Sequence, residues 1–423
     1  MKMIQRLLLQ ALKASLENNS VQWEMKLQSQ DWLDLFKMAE QHHILPMIYE
    51  AVFRCPAAQD AGQQIFAHYK INTLQTVMLQ TIKTAEFLSL FANLKASGIS
   101  PCVVKGIVCR SLYPNPDYRI SGDEDILIPP EQFRCCHDAM LAFGMTLSTP
   151  ERDPEAAFEV PYSKIGSPLY IELHKSLFPP DSEAYGDLNR FFDGVHERLV
   201  EVQVQGSSVF TMAHTDHLFY LICHAFKHFL HSGFGIRQVC DIVLFANAYG
   251  QQIDWNRVLE NCREIHADLF AAALFQIGGK YLTFDPDRAC YPDIWKRIQV
   301  DETAMLEDLL DSGIYGGSSM SRKHSSNVTL NAVSAQKQGK RGGNRVLKTV
   351  FPPAKALEQR YPYLKEKPYL LPVAWVSRIA QYGKETRNNT SPGNNAADAI
   401  KIGNERVELM KQYGILGNLD QKK

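Results

Sequence analysis

Residues 103–129, VVKGIVCRSLYPNPDYRISGDEDILIP, decide how the chain is read. An apolar strand ending at Val103-Val104 runs into Lys105-Gly106, and a short helical segment follows. A turn at Gly122 then launches Asp123-Glu124-Asp125 onto a second strand. Side chains alternate faces along a strand, so Asp123 and Asp125 point the same way with Cα atoms about 6.5–7 Å apart. Two carboxylates converging from one face suit a hard divalent cation such as Mg²⁺, which takes oxygen ligands and keeps waters and substrate phosphates. Ile126 and Ile128 share the other face with Glu124 and anchor the strand in a core. A carboxylate sent toward a core is costly without a partner, so Glu124 is expected at a solvent-exposed strand end.

A third carboxylate stands on the expected strand Leu169–His174, where Glu172 and His174 share one face and Ile171 and Leu173 the other. Antiparallel pairing beside the 123–128 strand is expected to bring Glu172 to the two aspartates. Three acids at one place repel one another unless cations neutralise them, which is the physical reason to expect a metal site. An acidic D-x-D at a strand end, taken alone, is equally a solvated surface feature. The strand–Lys–Gly–helix before it and Glu172 after it give it specificity.

Outward from this stretch, the expected fold is α+β, a small mixed sheet between helical regions. Residues 1–97 read as helix, with Leu7, Leu8, Leu12 and Leu16 on one stripe and Trp32, Leu35 and Phe36 on another. A longer pattern from Ala61 to Leu94 places Ile65, Tyr69, Leu74 and Met78 inward. Residues 98–212 alternate short strands and helices, 213–312 return to the helical period, 313–350 are basic with no Asp or Glu, and 351–423 are Pro-punctuated and helical. The 313–350 stretch reads as a linker or loop, or as a grip on a phosphate-bearing acceptor.

The 423 residues carry 45 Lys+Arg against 46 Asp+Glu, so a long nucleic acid, which demands a basic stripe, is not an expected partner. Nine scattered cysteines without a C-x-x-C pair suggest a reducing cytoplasm rather than a disulfide framework. No apolar run reaches the roughly 18–20 residues of a membrane span. His224, His228 and His231 share a helix face at i, i+4, i+7, a spacing that zinc ligands use, although no H-E-x-x-H or cysteine pair accompanies them.

The run KG-x₅-LYP…R-x₃-D-x-D-x-L-I followed by x-E-L-H resembles the uncharacterised nucleotidyltransferase family of the DNA polymerase beta-like superfamily. The H-x₃-H helix with R-x₃-D after it, and FPP…YP…P-x₂-W-x₂-R near the C-terminus, resemble it too. The resemblance runs from about residue 30 to 385. It implies a polymerase beta-like core that moves a nucleotidyl group from a nucleoside triphosphate, ATP by default, to a hydroxyl on a protein, sugar or other small molecule, releasing pyrophosphate. It implies two Mg²⁺ ions on Asp123, Asp125 and Glu172, with Glu172 on the acceptor side. Lys105, Gly106, Arg119, Ser121 and His174 would contact the nucleotide, and His224, Lys227, His228 and Arg237 would assist from a helix over the cleft, Arg237 pairing with Asp241 or touching phosphate. Lys105-Gly106 replaces the usual Gly-Ser, and Glu124 stands where an apolar residue is usual. These departures leave open a nucleotide-binding module without chemistry, with a zinc protein as a third reading.

Overall fold

The computed structural model describes residues 1–59, 63–313, 319–339, 354–357, 361–377 and 396–417. Phe351–Pro353 and Arg378 of the C-terminal motif, and the basic residues Lys340, Arg341, Arg345 and Lys348, lie outside the described residues. The chain forms two units: Met1–Ala225 with Gly235–Leu310, and Phe226–Phe234 with Asp311–Lys423.

The first unit opens with helices Met3–Leu16, Ser29–Gln41 and Leu45–Val52. Leu8, Leu12, Trp32, Leu35 and Phe36 are buried, as their helical spacing requires. The next long helix, Gln63–Ala96, departs from expectation in its middle. Tyr69 is buried, but Leu74 and Met78 are 59% and 56% exposed. Thr73, Gln80, Lys83 and Thr84 point inward there instead. The neighbouring loop is the cause. Gln80 Oε1 accepts the Ser121 amide at 2.9 Å, and Lys83 Nζ donates to the Ser121 carbonyl at 3.1 Å. Buried polar loop groups need partners, and this helix face supplies them. Past Thr84 the apolar pattern resumes with Phe87, Leu90, Phe91 and Leu94 in the core.

A five-stranded mixed sheet follows. β1 (Cys102–Val104), β2 (Glu124–Leu127), β3 (Thr146–Leu147), β4 (Glu159–Ser163) and β5 (Tyr170–His174) stand in the order β1-β2-β5-β4-β3. β6 (Leu199–Val204) and β7 (Ser207–Met212) form a separate antiparallel hairpin. β2 and β5 are parallel rather than antiparallel, with Asp125 paired to Glu172 and Leu127 to His174. After β2 the chain reverses through helix Phe133–Ala142, β3, β4 and β5, and four reversals leave β5 running with β2. Ile126, Ile128, Ile171 and Leu173 fill the core with Val103, Phe133 and Met140. Helices His214–His231, Ile236–Tyr249, Trp255–Glu264 and Asp268–Tyr281 come next.

In the second unit, part of the stretch read as a linker is a helix, Met320–Lys337, packed on Ala396–Gln412. Ser319 caps it by accepting the Arg322 amide at 3.1 Å. Gly403 lets the two helices approach, since a Cβ there would lie 2.7 Å from the Val328 Cβ. Among the described residues no helix is long and apolar enough to cross a membrane.

Candidate functional site

β2 brings Asp125, and β5 brings Glu172 and His174, to one place. One donor atom from each lies within 4.8 Å of the others, and among the described residues no other group of three His, Cys, Asp or Glu gathers so closely. Asp125 is buried and fully engaged: Oδ2 accepts Lys105 Nζ at 2.9 Å, and Oδ1 lies 3.1 Å from His174 Nε2. His174 Nε2 is also 3.8 Å from Glu172 Oε2, and its Nδ1 is 3.6 Å from Glu159 Oε2. Asp123 precedes β2, half-buried, outside this trio, and its charge reaches Glu172.

The two paired carboxylates titrate in opposite directions. Burial would raise the pKa of Asp125, but the Lys105 ammonium and His174 outweigh it and hold the group well below the usual carboxylate range. Burial first, then the charges of Asp125, Asp123 and Glu159, push Glu172 up to about 7. Oxygen donors with one imidazole, an excess of acid and an ammonium already standing against Asp125 make a donor set that fits a divalent cation.

Glu124 is neither exposed nor unpaired. It is fully buried, and it bonds Arg110 Nη2, the Ser121 hydroxyl at 2.9 Å and the Ile107 amide at 2.8 Å, with Lys83 Nζ 3.7 Å away. Burial raises its pKa, yet Arg110 and Lys83 bring it below the carboxylate value. Arg110 Nη1 continues the network to the Thr84 hydroxyl at 2.5 Å, and Nη2 reaches Ser121 Oγ at 2.7 Å. The local register of D-E-D therefore stands, because the inward acid meets two buried cations. Lys83, Arg110 and Glu124 were missed as a group. Their legible signal is the run of polar residues at 73, 80 and 84 at the helical spacing that continues as Phe87 and Phe91.

This network also changes the roles expected of Gly106 and Ser121. The start of helix Gly106–Arg110 faces the Glu124 carboxylate through the Ile107 amide, and Ser121 bonds that same carboxylate. Lys105 sits just before, at φ 57°, with its amide donating to His217 Nε2 at 3.2 Å. His217 Nδ1 lies 3.1 Å from the Thr211 hydroxyl, which donates to the Val103 carbonyl at 2.6 Å. Burial lowers the His217 pKa to about 3, so the ring is neutral and can accept the Lys105 amide.

Arg119 does not face the carboxylate trio. Its guanidinium grips Asp241 with Nε–Oδ1 2.8 Å and Nη2–Oδ2 2.6 Å, and Tyr113 donates to Oδ1 at 2.8 Å. Asp241 thus pairs with Arg119 rather than through an i,i+4 bridge with Arg237, whose Nη1 donates to the Ile120 carbonyl. Both arginines are buried and tie the loop before Asp123 to helix Ile236–Tyr249. His224 is buried with Nε2 3.1 Å from Lys105 Nζ and Nδ1 3.3 Å from Gln238 Nε2. Lys227 and His228 lie farther along the same helix, half-buried, in the part belonging to the second unit. Among the described residues, His224, His228 and His231 are not part of any close group of metal donors.

No curated protein and no solved structure matches the chain significantly. A family model described as an uncharacterised nucleotidyltransferase matches residues 28–282, a span that holds β1 through β7, the Asp125–Glu172–His174 trio, the buried Glu124 network and the Arg119–Asp241 clamp. With most of its length and its whole sheet inside that match, the chain belongs to this nucleotidyltransferase family.

Proposed function

We propose that this protein is a Mg²⁺-dependent transferase with a polymerase beta-like core that moves a nucleoside monophosphate from a triphosphate, ATP by default, to a hydroxyl acceptor. The observation that carries the reading is the pairing of Asp125 with Glu172 on adjacent parallel strands, with His174 closing the trio within 4.8 Å. Asp125, Glu172 and Asp123 are the residues assigned to hold the metal. Two such ions, when bound there, would supply positive charge to stabilise the charge that develops in an in-line displacement.

The chain's own groups then have distinct tasks. Glu172, partly exposed at the edge of the trio, takes the proton of the acceptor hydroxyl as its oxygen bonds to the α-phosphorus. The α–β phosphoanhydride breaks and pyrophosphate departs with the electron pair. Lys105 is the cation nearest the trio and faces the displaced charge. His174 fixes the Asp125 rotamer. The acceptor is read as a protein, sugar or small molecule, and nine unpaired thiols agree with a reducing cytoplasm.

One observation favours a second reading, a nucleotide-binding module without chemistry. The helix start expected to face phosphate is taken by Glu124, and Arg119 is committed to Asp241. Titration calorimetry with each of four nucleoside triphosphates and Mg²⁺, run beside a pyrophosphate assay, separates the two. Metal-dependent pyrophosphate release that vanishes in Asp125→Asn supports the transferase. Nucleotide binding with no release in any lysate fraction supports the module.

A further inference from the structure

Lys105 is placed by its backbone to meet Asp125. Its positive φ, the Gly106 that follows and the amide bond to His217 fix the turn, and four side-chain torsions separate the ammonium from that turn. The ammonium stands 2.9 Å from Asp125 Oδ2 and 3.1 Å from His224 Nε2, and its side chain is 13% exposed. The other Asp125 oxygen meets His174. Both oxygens of the innermost carboxylate are therefore engaged by groups of the protein itself, among surrounding acids that need a cation.

We propose that Lys105 is an exchangeable internal counter-ion: it neutralises Asp125 in the resting protein, is displaced when a divalent cation takes that carboxylate, and turns to the nucleotide's phosphates. The inference rests on the reading of the trio as a metal site. Two positive charges compete for one carboxylate, so the metal alone binds weakly. A triphosphate offers the ammonium a new anionic partner and removes the competition. Lys105 thereby couples metal binding to nucleotide binding, and the coupling is reciprocal by linkage. His224 Nε2, 3.1 Å from the ammonium, is a further contact at the resting position.

The test measures Mn²⁺ affinity of the full-length protein without nucleotide, by calorimetry and by paramagnetic titration, in wild type, Lys105→Met and Lys105→Arg. Removal of the charge in Lys105→Met is expected to tighten Mn²⁺ binding at least tenfold. Lys105→Arg, which keeps the charge, is expected to stay within threefold of wild type. Mn²⁺ is also expected to raise the melting temperature more in Lys105→Met than in wild type, because there the ion replaces a lost partner. Equal Mn²⁺ affinity in wild type and Lys105→Met overturns the exchange. If Lys105→Met does not fold, Lys105→Gln takes its place, and failure of both to fold even in Mn²⁺ makes the ammonium a structural group and overturns it as well. The underlying site fails separately: Mn²⁺ binding in Lys105→Met that survives Asp125→Asn and Glu172→Gln places the ion elsewhere.

Discussion

The Glu124 carboxylate occupies the space that a side chain at Gly106 would need: a Cβ built on Gly106 would lie 2.1 Å from Glu124 Oε2. The acid reaches the Ile107 amide only because residue 106 lacks a side chain and adopts φ 38°. The Lys-Gly and D-E-D motifs, 17 residues apart at their hydrogen bond, are thus one device that joins the first helix turn after β1 to the start of β2.

Gly106→Ala is expected to destabilise the fold by about 2–4 kcal/mol, since it adds both strain at positive φ and overlap with a buried carboxylate. Urea unfolding measures it. A loss below about 0.5 kcal/mol would show that the carboxylate is free to move aside.

Glu124→Gln removes the anion between Arg110 and Lys83 while keeping its shape. Uncompensated buried cations cost roughly 3–5 kcal/mol, and Glu124→Gln combined with Arg110→Met is expected to lose less than the sum of the two. A double-mutant cycle by chemical denaturation reads the coupling. Additive losses would mean that Glu124 and Arg110 do not act as a unit.

Arg119→Lys keeps the charge and breaks the two-pronged grip on Asp241. The expected loss is roughly 1.5–3 kcal/mol of stability, with nucleotide affinity of the folded protein unchanged within threefold. A large fall in nucleotide affinity at intact stability would instead make Arg119 a phosphate contact.

Glu172 gives a pH dependence with a definite sign. Its folded pKa, about 7, exceeds the carboxylate value of 4.5. The folded state therefore binds more protons between those values, and stability without metal falls as pH rises through that window. Metal affinity runs the other way and grows up to tenfold per unit as pH climbs toward 7, because the ligand must lose its proton. Mn²⁺ titrations from pH 5.5 to 8 check this, and Glu172→Gln should flatten both dependences.

The exposed faces supply a control. Leu74→Gln and Met78→Gln, at positions 59% and 56% exposed, should change stability by no more than about 0.5 kcal/mol. Thermal melts of both variants suffice, and a large loss would return those side chains to the core.

The sequence by itself determined the β1 and β2 strands, the shared face of Glu172 and His174, the inward path of Ile126 and Ile128, and the helical regions, because period and turn chemistry are local. Its motifs between residues 105 and 174 carried the resemblance to the nucleotidyltransferase family. Tertiary structure alone decided the parallel pairing of β2 with β5, since strand direction depends on how many times the intervening chain reverses. It alone turned Leu74 outward and Lys83 inward, because which helix face is buried follows from what lies opposite. It alone gave Glu124 its cations and sent Arg119 to Asp241. Partners separated by 41 and 122 residues meet only after the fold has closed around them.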